Sequence, residues 1–379
     1  MTLIENVSQS SRLNMRKWSI PAGRIFGVQV RVHLTFFILL LFVWLTEALQ
    51  TGWIGVARGF ALVAIVFGSV VVHELAHALV ALRNGINVRA IMLLPIGGVT
   101  LMDEETYRNP NPSRDMRIAA AGPLVNIVLA VFFGSATLLL WPEANLFGRP
   151  FVHSANLVRS LFWSNLFLGL FNLLPAYPLD GGRVLRAWFT RRMDSVHATR
   201  RAVSIGQFFA ILMIAAGVWN TWLMLIGFIL FLGGQVEDRS ALFQAVLEQV
   251  RIEDVMLTDF LTLSPADTLE DALQKAVHSL QDDFPVVRDN DMVGTITRQK
   301  IMESVRSGEV GYVQGAMNRI FQVAGRKDTV ASVLRKASQN GMSLITVVDG
   351  GHMVGIVTLQ NLSHSIALLA ESRKLRQAN

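Results

Sequence analysis

Apolar residues run in long blocks through the first two thirds of the chain and in short mixed segments from about Arg251 onward. The blocks are His33 to Leu49, Gly59 to Leu82, Arg117 to Trp141, Val158 to Leu174, and a stretch over residues 207–234. As one helix the last would be ~42 Å long at 1.5 Å per residue, too long for a ~30 Å hydrocarbon core. It therefore divides at Trp219-Asn220-Thr221, and the pattern predicts six spans. Residues 88–102, VRAIMLLPIGGVTLM, break the helical pattern. Their β-branched content and the central Pro95, Gly97 and Gly98 predict a short re-entrant hairpin. Non-helical backbone near a membrane is tolerated only where it is buried in protein or lines a watery cavity, so this hairpin is expected to floor a site.

Composition agrees with the spans. Of 379 residues, 52% are hydrophobic and 16% charged, which describes a polytopic membrane protein with soluble parts. The absence of cysteine excludes disulfides and thiolate metal ligands, so a zinc ion could be held only by His, Asp or Glu. The net charge of +6 does not indicate nucleic acid, because Lys and Arg lie mostly in loops flanking the spans. They concentrate before the first span (Arg12, Arg16, Lys17, Arg24, Arg31), between Arg83 and Arg117, and between Arg183 and Arg201. By the positive-inside rule both termini are expected in the cytoplasm, the protein being a multi-pass protein of a cell membrane. No cleavable signal peptide is evident, and residues 1–32 read as a basic cytoplasmic arm.

The second span carries the candidate chemistry. His73, Glu74 and His77, in the string HELAH, interrupt an otherwise apolar helix, and ionisable groups at membrane depth are costly enough to mark function. Four residues of separation stack both imidazoles on one helix face, and Glu74, about 100° round, can reach a water held between them. This is the HExxH arrangement of zinc hydrolases. The alternative is an interhelical hydrogen-bond cluster. Two imidazoles leave a tetrahedral zinc short of a third protein ligand. Asp180 sits in the loop NLLPAYPLDGGR, residues 172–183, where two prolines and two glycines break the helix at the same expected depth as HELAH. No remaining histidine (33, 153, 197, 278, 352, 364) combines that depth with a helix break. The third span offers one polar side chain, Asn126, within AAAGPLVNIVLA.

The C-terminal third repeats itself at an offset of 61 residues. Asp267-Thr268 answers Asp328-Thr329, Val286-Val287 answers Val347-Val348, and Gly294-Thr295-Ile296-Thr297 answers Gly355-Ile356-Val357-Thr358. Such a repeat implies two copies of one supersecondary unit sharing a core, each read as strand, helix, strand, strand, helix.

At HELAH, AGPLVN (121–126) and NLLPAYPLDGG (172–182) the chain resembles the site-2 protease family of intramembrane zinc metalloproteases. Its C-terminal repeat is similar to a pair of cystathionine-β-synthase (CBS) modules. The resemblance implies an arm over 1–32, a six-helix transmembrane protease domain over 33–240, and CBS modules over 251–308 and 312–370. It implies one zinc per chain on His73, His77 and Asp180, with Glu74 as general base. Asn126 and Asn172 are then expected to steady the scissile carbonyl or the developing oxyanion, with interhelical hydrogen bonding as the alternative for each. The implied substrate is a transmembrane protein, cleaved within or near its membrane segment in regulated intramembrane proteolysis in a prokaryotic membrane. The CBS pair implies regulation, a homodimer, and an adenine nucleotide contacted near Thr297 and Thr358. Three residues on, where the CBS family carries Asp, this sequence has Lys300 and Asn361, which keeps a structural or dimerising role open. Competing classes are a CBS-regulated channel or transporter and a silent scaffold that binds transmembrane helices. The lack of a repeated span pattern argues against the first, and the intact HELAH against the second.

Overall fold

The structure, a computed structural model, describes residues 18–95, 97–102, 111–289, 291–307, 311–334, 344–350, 352–358, 361, 362 and 365. Arg12, Arg16, Lys17, His364 and most of 359–370, on which parts of the expected arm and second module fall, lie outside them. The chain forms two compact units, Met1–Ala241 and Leu242–Asn379.

In the first unit the helix Thr35–Arg83 changes direction at Gly52, whose φ of 69° suits a residue without Cβ. The expected first and second spans are thus Thr35–Leu49 and Gly52–Arg83. Pro112–Leu140 and Leu157–Asn172 follow. The stretch 207–234 is broken as expected, between Ala216, which ends the helix Ser195–Ala216, and Thr221, which starts Thr221–Gln249. Among the described residues, four helices are long and apolar enough to cross a membrane: Gly52–Arg83, Pro112–Leu140, Ser195–Ala216 and Thr221–Gln249. Thr35–Leu49 and Leu157–Asn172 are shorter. Exposed Trp53, Trp141, Trp219 and Trp222 stand at or just beyond the helix ends, as interfacial tryptophans do.

Residues 88–102 form the expected hairpin, strands β3 (Val88–Leu94) and β4 (Gly97–Met102). They are joined by two strands where an arm was expected, β1 (Ser19–Ile25) and β2 (Val28–His33), in a sheet of order β1-β2-β3-β4. The alternation Val28, Val30, Val32 carries the reason: period-two apolar residues give β2 one core face, and β2 pairs in parallel with β3. Val28, Val30, Ile91 and Leu93 pack on Val70, Leu75 and Ala78 of the helix that bears HELAH. The sheet is therefore fixed against the candidate site.

The second unit obeys the 61-residue offset. Strands β5 (Asp283–Arg288) and β6 (Asp291–Thr297) correspond residue for residue to β8 (Leu344–Asp349) and β9 (His352–Thr358). The bulges at Val286/Val287 and Val347/Val348 match as well. Strand β7 (Gln322–Gly325) pairs in parallel with β8, as Leu263 bridges Val286 in the first copy. The copies exchange their leading segments. Leu257 pairs with Ile356 and Asn318 with Thr295. Ile252 and Val255 are buried in the second copy's core, and Val313 in the first copy's. Neither copy closes its core alone.

Candidate metal centre

Ser69, His73 and His77 recur every four residues on Gly52–Arg83 and form one polar stripe on an apolar helix. All three side chains are buried. Asp180 begins the helix Asp180–Phe189, where a carboxylate also meets the favourable end of the helix dipole. Its loop is clamped by glycines. A Cβ on Gly206 would meet Ala176 Cα at 2.8 Å, and one on Gly233 would meet Pro178 Cδ at 2.7 Å. A Cβ on Gly181 would overlap the Leu173 and Leu174 carbonyls. The PAYPLDGG turn thus sits tightly between the helices Ser195–Ala216 and Thr221–Gln249.

Among the described residues, His73, His77 and Asp180 form the group able to offer three donor atoms within 4.8 Å of one another. Asp180 Oδ2 is 3.0 Å from His73 Nε2 and 3.1 Å from His77 Nε2, and the two Nε2 atoms are 3.2 Å apart. Ligands 2.0–2.1 Å from a tetrahedral zinc are separated from one another by about 3.3 Å. The three donors are therefore spaced as one such ion requires.

The hydrogen bonds behind them fix which ring nitrogen faces the cluster. His77 Nδ1 lies 2.6 Å from the Ile118 carbonyl, which can only accept, so Nδ1 carries a proton and the neutral imidazole keeps its lone pair on Nε2. For His73 the reasoning runs through two asparagines. Asn165 Nδ2 donates to the Leu161 carbonyl at 2.9 Å and to Ser69 Oγ at 3.0 Å, which turns Asn165 Oδ1 toward Asn126. Asn126 Nδ2 donates to that oxygen at 2.8 Å, leaving its own Oδ1 to accept from His73 Nδ1 at 2.7 Å. In the neutral imidazoles both Nε2 lone pairs therefore converge on a carboxylate oxygen. Three electron-rich atoms without a proton between them repel one another unless a cation joins them, so the donor set fits zinc.

Glu74, on the next residue, is also buried. Thr100 Oγ1 on β4 donates to Glu74 Oε2 at 2.6 Å, and a Cβ on Gly98 would overlap Glu74 Cγ. Gly122 clears the opposite side: a Cβ there would overlap His77 Nε2 and lie 2.7 Å from His73 Nε2. The adjacent Pro123, inside the helix, has no N–H to give to the Ala119 carbonyl.

Of the residues singled out in the sequence, His73, His77, Asp180 and Asn126 are brought into one hydrogen-bonded cluster, with Glu74 beside it. Asn172 is not part of it; its Nδ2 donates to the Leu168 carbonyl at 2.9 Å within its own helix. Thr297, in the second unit, caps the helix Arg298–Arg306, accepting from the Lys300 N–H at 3.1 Å, and Thr358 accepts from the Asn361 N–H at 3.2 Å. Ser69, Thr100 and Asn165 were missed, and Gly98 and Gly122 entered only as members of the hairpin and of AGPLVN. Ser69, four residues before His73, carried a readable signal in that spacing.

The family model for Peptidase family M50 matches residues 61–151 and 150–215, and that for the CBS domain matches 252–307 and 310–368. The chain is 29% identical to a zinc metalloprotease of Methanocaldococcus jannaschii, over 95% of this chain and 99% of that protein. It is 31% identical to Rip3 of Mycobacterium tuberculosis, named as a candidate zinc metalloprotease, over 92% of this chain and 93% of Rip3. A solved structure, the site-2 protease from Methanocaldococcus jannaschii, aligns with 59% of this chain and 96% of its own at 32% identity and a TM-score of 0.43.

Proposed function

The chain belongs to peptidase family M50, the site-2 proteases, and is a membrane zinc metalloprotease with a CBS pair; from that premise we propose that it hydrolyses a peptide bond within or near a transmembrane segment of a membrane-anchored protein. The observation that carries the reading is the convergence of the two Nε2 atoms and the Asp180 carboxylate, with Glu74 one residue away.

His73, His77 and Asp180 are assigned as the residues that hold zinc, and Glu74 as general base. Zinc in such a site supplies Lewis acidity and lowers the pKa of a bound water to about 7. Glu74 takes the proton of the attacking water as the C–O bond forms, then delivers it to the leaving nitrogen as the C–N bond breaks. Carboxylate and amine products balance the step. Asn126 keeps His73 in the tautomer that presents Nε2, which favours an orienting role over an oxyanion contact. Asn172, held to its own helix, keeps that second role open.

A transmembrane helix satisfies its own peptide groups, so the scissile segment must unwind before attack. Strand β4 is a sheet edge, and an unwound segment pairing along it would satisfy the freed groups while lying beside Glu74. The bias of Lys and Arg among the loops supports a cytoplasmic location for both termini. The domain division proposed is residues 33–240 for catalysis and 251–308 and 312–370 for the CBS pair, which acts as regulator and homodimer contact. For an adenine nucleotide there, the Thr297 and Thr358 hydroxyls accept from the Lys300 and Asn361 N–H groups and retain an O–H to donate.

The test combines zinc content with cleavage of a membrane-embedded model substrate. Wild type should carry about one zinc per chain, in keeping with a three-ligand catalytic site. His77→Ala and Asp180→Ala should lose the metal, and Glu74→Gln should keep it while losing cleavage. Cleavage by Glu74→Gln would sink the mechanism.

A further inference from the structure

Strand β4 does more than border the site. Gly98 and Thr100, two residues apart, share the strand face turned to Glu74, while Val99 between them is exposed. Gly98 gives room for the Glu74 stem, and a Cβ there would also lie 3.0 Å from Oε1. Thr100 Oγ1 lies 2.6 Å from Oε2 and 3.3 Å from the Glu74 backbone carbonyl, so its one hydroxyl proton goes to the nearer Oε2. With Oε2 occupied, Oε1 is the oxygen left to receive a proton.

The strand cannot drift from the helix. Thr100 pairs with Ile91 and Gly98 with Leu93, and both partners are buried against Val70, Leu75 and Ala78 on the helix that carries Glu74. Threonine, branched at Cβ, also has a stiff χ1.

We propose that Thr100 is the positioning residue for Glu74: through Oε2 it fixes the carboxylate with Oε1 free for the water, so the edge strand that borders the substrate also sets the base. The proposal rests on Glu74 being the general base.

The experiment compares zinc content, kcat and KM of the full-length detergent-solubilised protein on a transmembrane model substrate, for wild type, Thr100→Val, Thr100→Ser and Glu74→Gln. Valine matches threonine in shape and suits a strand, but cannot donate. Thr100→Val should retain zinc and a KM within about twofold, and lose about tenfold or more in kcat, the scale of a hydrogen bond to a charged group. Thr100→Ser, which restores the donor, should recover kcat to within about threefold on the same scale. Should the valine variant fail to fold, Thr100→Ala carries the same expectation. A donorless variant with wild-type kcat, a serine variant as slow as valine, or a loss confined to KM would overturn the proposal. These outcomes are separable from failure of the underlying reading. If Glu74→Gln still cleaves, the general-base assignment falls; if it is inactive while Thr100→Val is normal, only the Thr100 proposal falls.

Discussion

Gly122 lies so close to His77 that a Cβ on it would overlap the imidazole Nε2, the atom that faces Asp180. The glycine on the neighbouring helix is therefore the wall that permits both imidazoles to turn inward.

Gly122→Ala should displace His73 and His77 together while leaving the helix intact, since alanine is the better helix former. The expected result is a chain that purifies as a folded, monodisperse species yet binds little zinc and does not cleave. Zinc analysis beside a thermal melt checks this. A metal-replete, active Gly122→Ala protein would show that the imidazoles have freedom the packing denies them.

Asn165 touches no candidate ligand, but it orients the amide that orients His73. Asn165→Leu leaves the Asn126 amide and Ser69 hydroxyl short of partners in a buried place, at about 1–3 kcal/mol for each unsatisfied group. Zinc affinity should fall about 10–100-fold, the usual effect of losing such a supporting contact. A competition titration with a chromophoric chelator reads it directly, with no need of substrate.

The clustered residues were legible because charge inside an apolar span has few explanations, and because HELAH puts both imidazoles on one face by spacing alone. Asp180 was legible because prolines and glycines must break the helix around it. Gly98 and Gly122 were legible only as members of the hairpin and of AGPLVN, and Asn165 not at all, because their importance lies in which side chains approach them from other helices or strands, and a single sequence does not identify those. The strand β2 was overlooked for another reason: positive charge at Arg24 and Arg31 read as a membrane-flanking arm and masked the alternation of Val28, Val30 and Val32. In the second unit the offset of 61 predicted equivalent strands, but not that Ile252 and Val313 would each complete the other copy's core.

The CBS pair contains an acid-sensitive contact. Burial works to raise the Asp267 carboxyl, but the hydrogen bond from Lys275 at 2.8 Å and the Ser264 N–H outweigh it and hold it below the ordinary carboxylate range. A carboxyl lowered on folding stabilises fully above its unfolded value, near 3.9, and that stabilisation is lost as pH falls through the folded value. Asp267→Asn should therefore cost a constant amount near neutral pH, under about 1 kcal/mol for a pair with a half-exposed lysine. The gap to wild type should close below about pH 4. Amide exchange of the segment 264–277 across pH measures this; a gap that widens on acidification would mean the contact is not ionic.

The exchanged segments of the two CBS copies depend on a matched pair of glycines. A Cβ on Gly355 would lie 2.9 Å from the Leu257 carbonyl oxygen and 3.0 Å from Met256 Sδ; one on Gly294 would lie 2.8 Å from the Asn318 oxygen and 2.9 Å from Met317 Sδ. In each case backbone from the segment leading into one copy closes on a strand of the other, and backbone cannot retreat as a flexible side chain can. Gly355→Ala and Gly294→Ala should each destabilise the pair by about 1–3 kcal/mol through overpacking. The two costs should be similar, because the sites are related by the same offset of 61. Limited proteolysis of the full chain should then cut the C-terminal unit sooner in both variants, with zinc content unchanged, since Gly294 and Gly355 belong to the unit without the metal centre. A neutral effect at both glycines would refute the exchange as the source of the pair's cohesion, and a cost at one alone would mean that the copies share a sequence pattern but not the load.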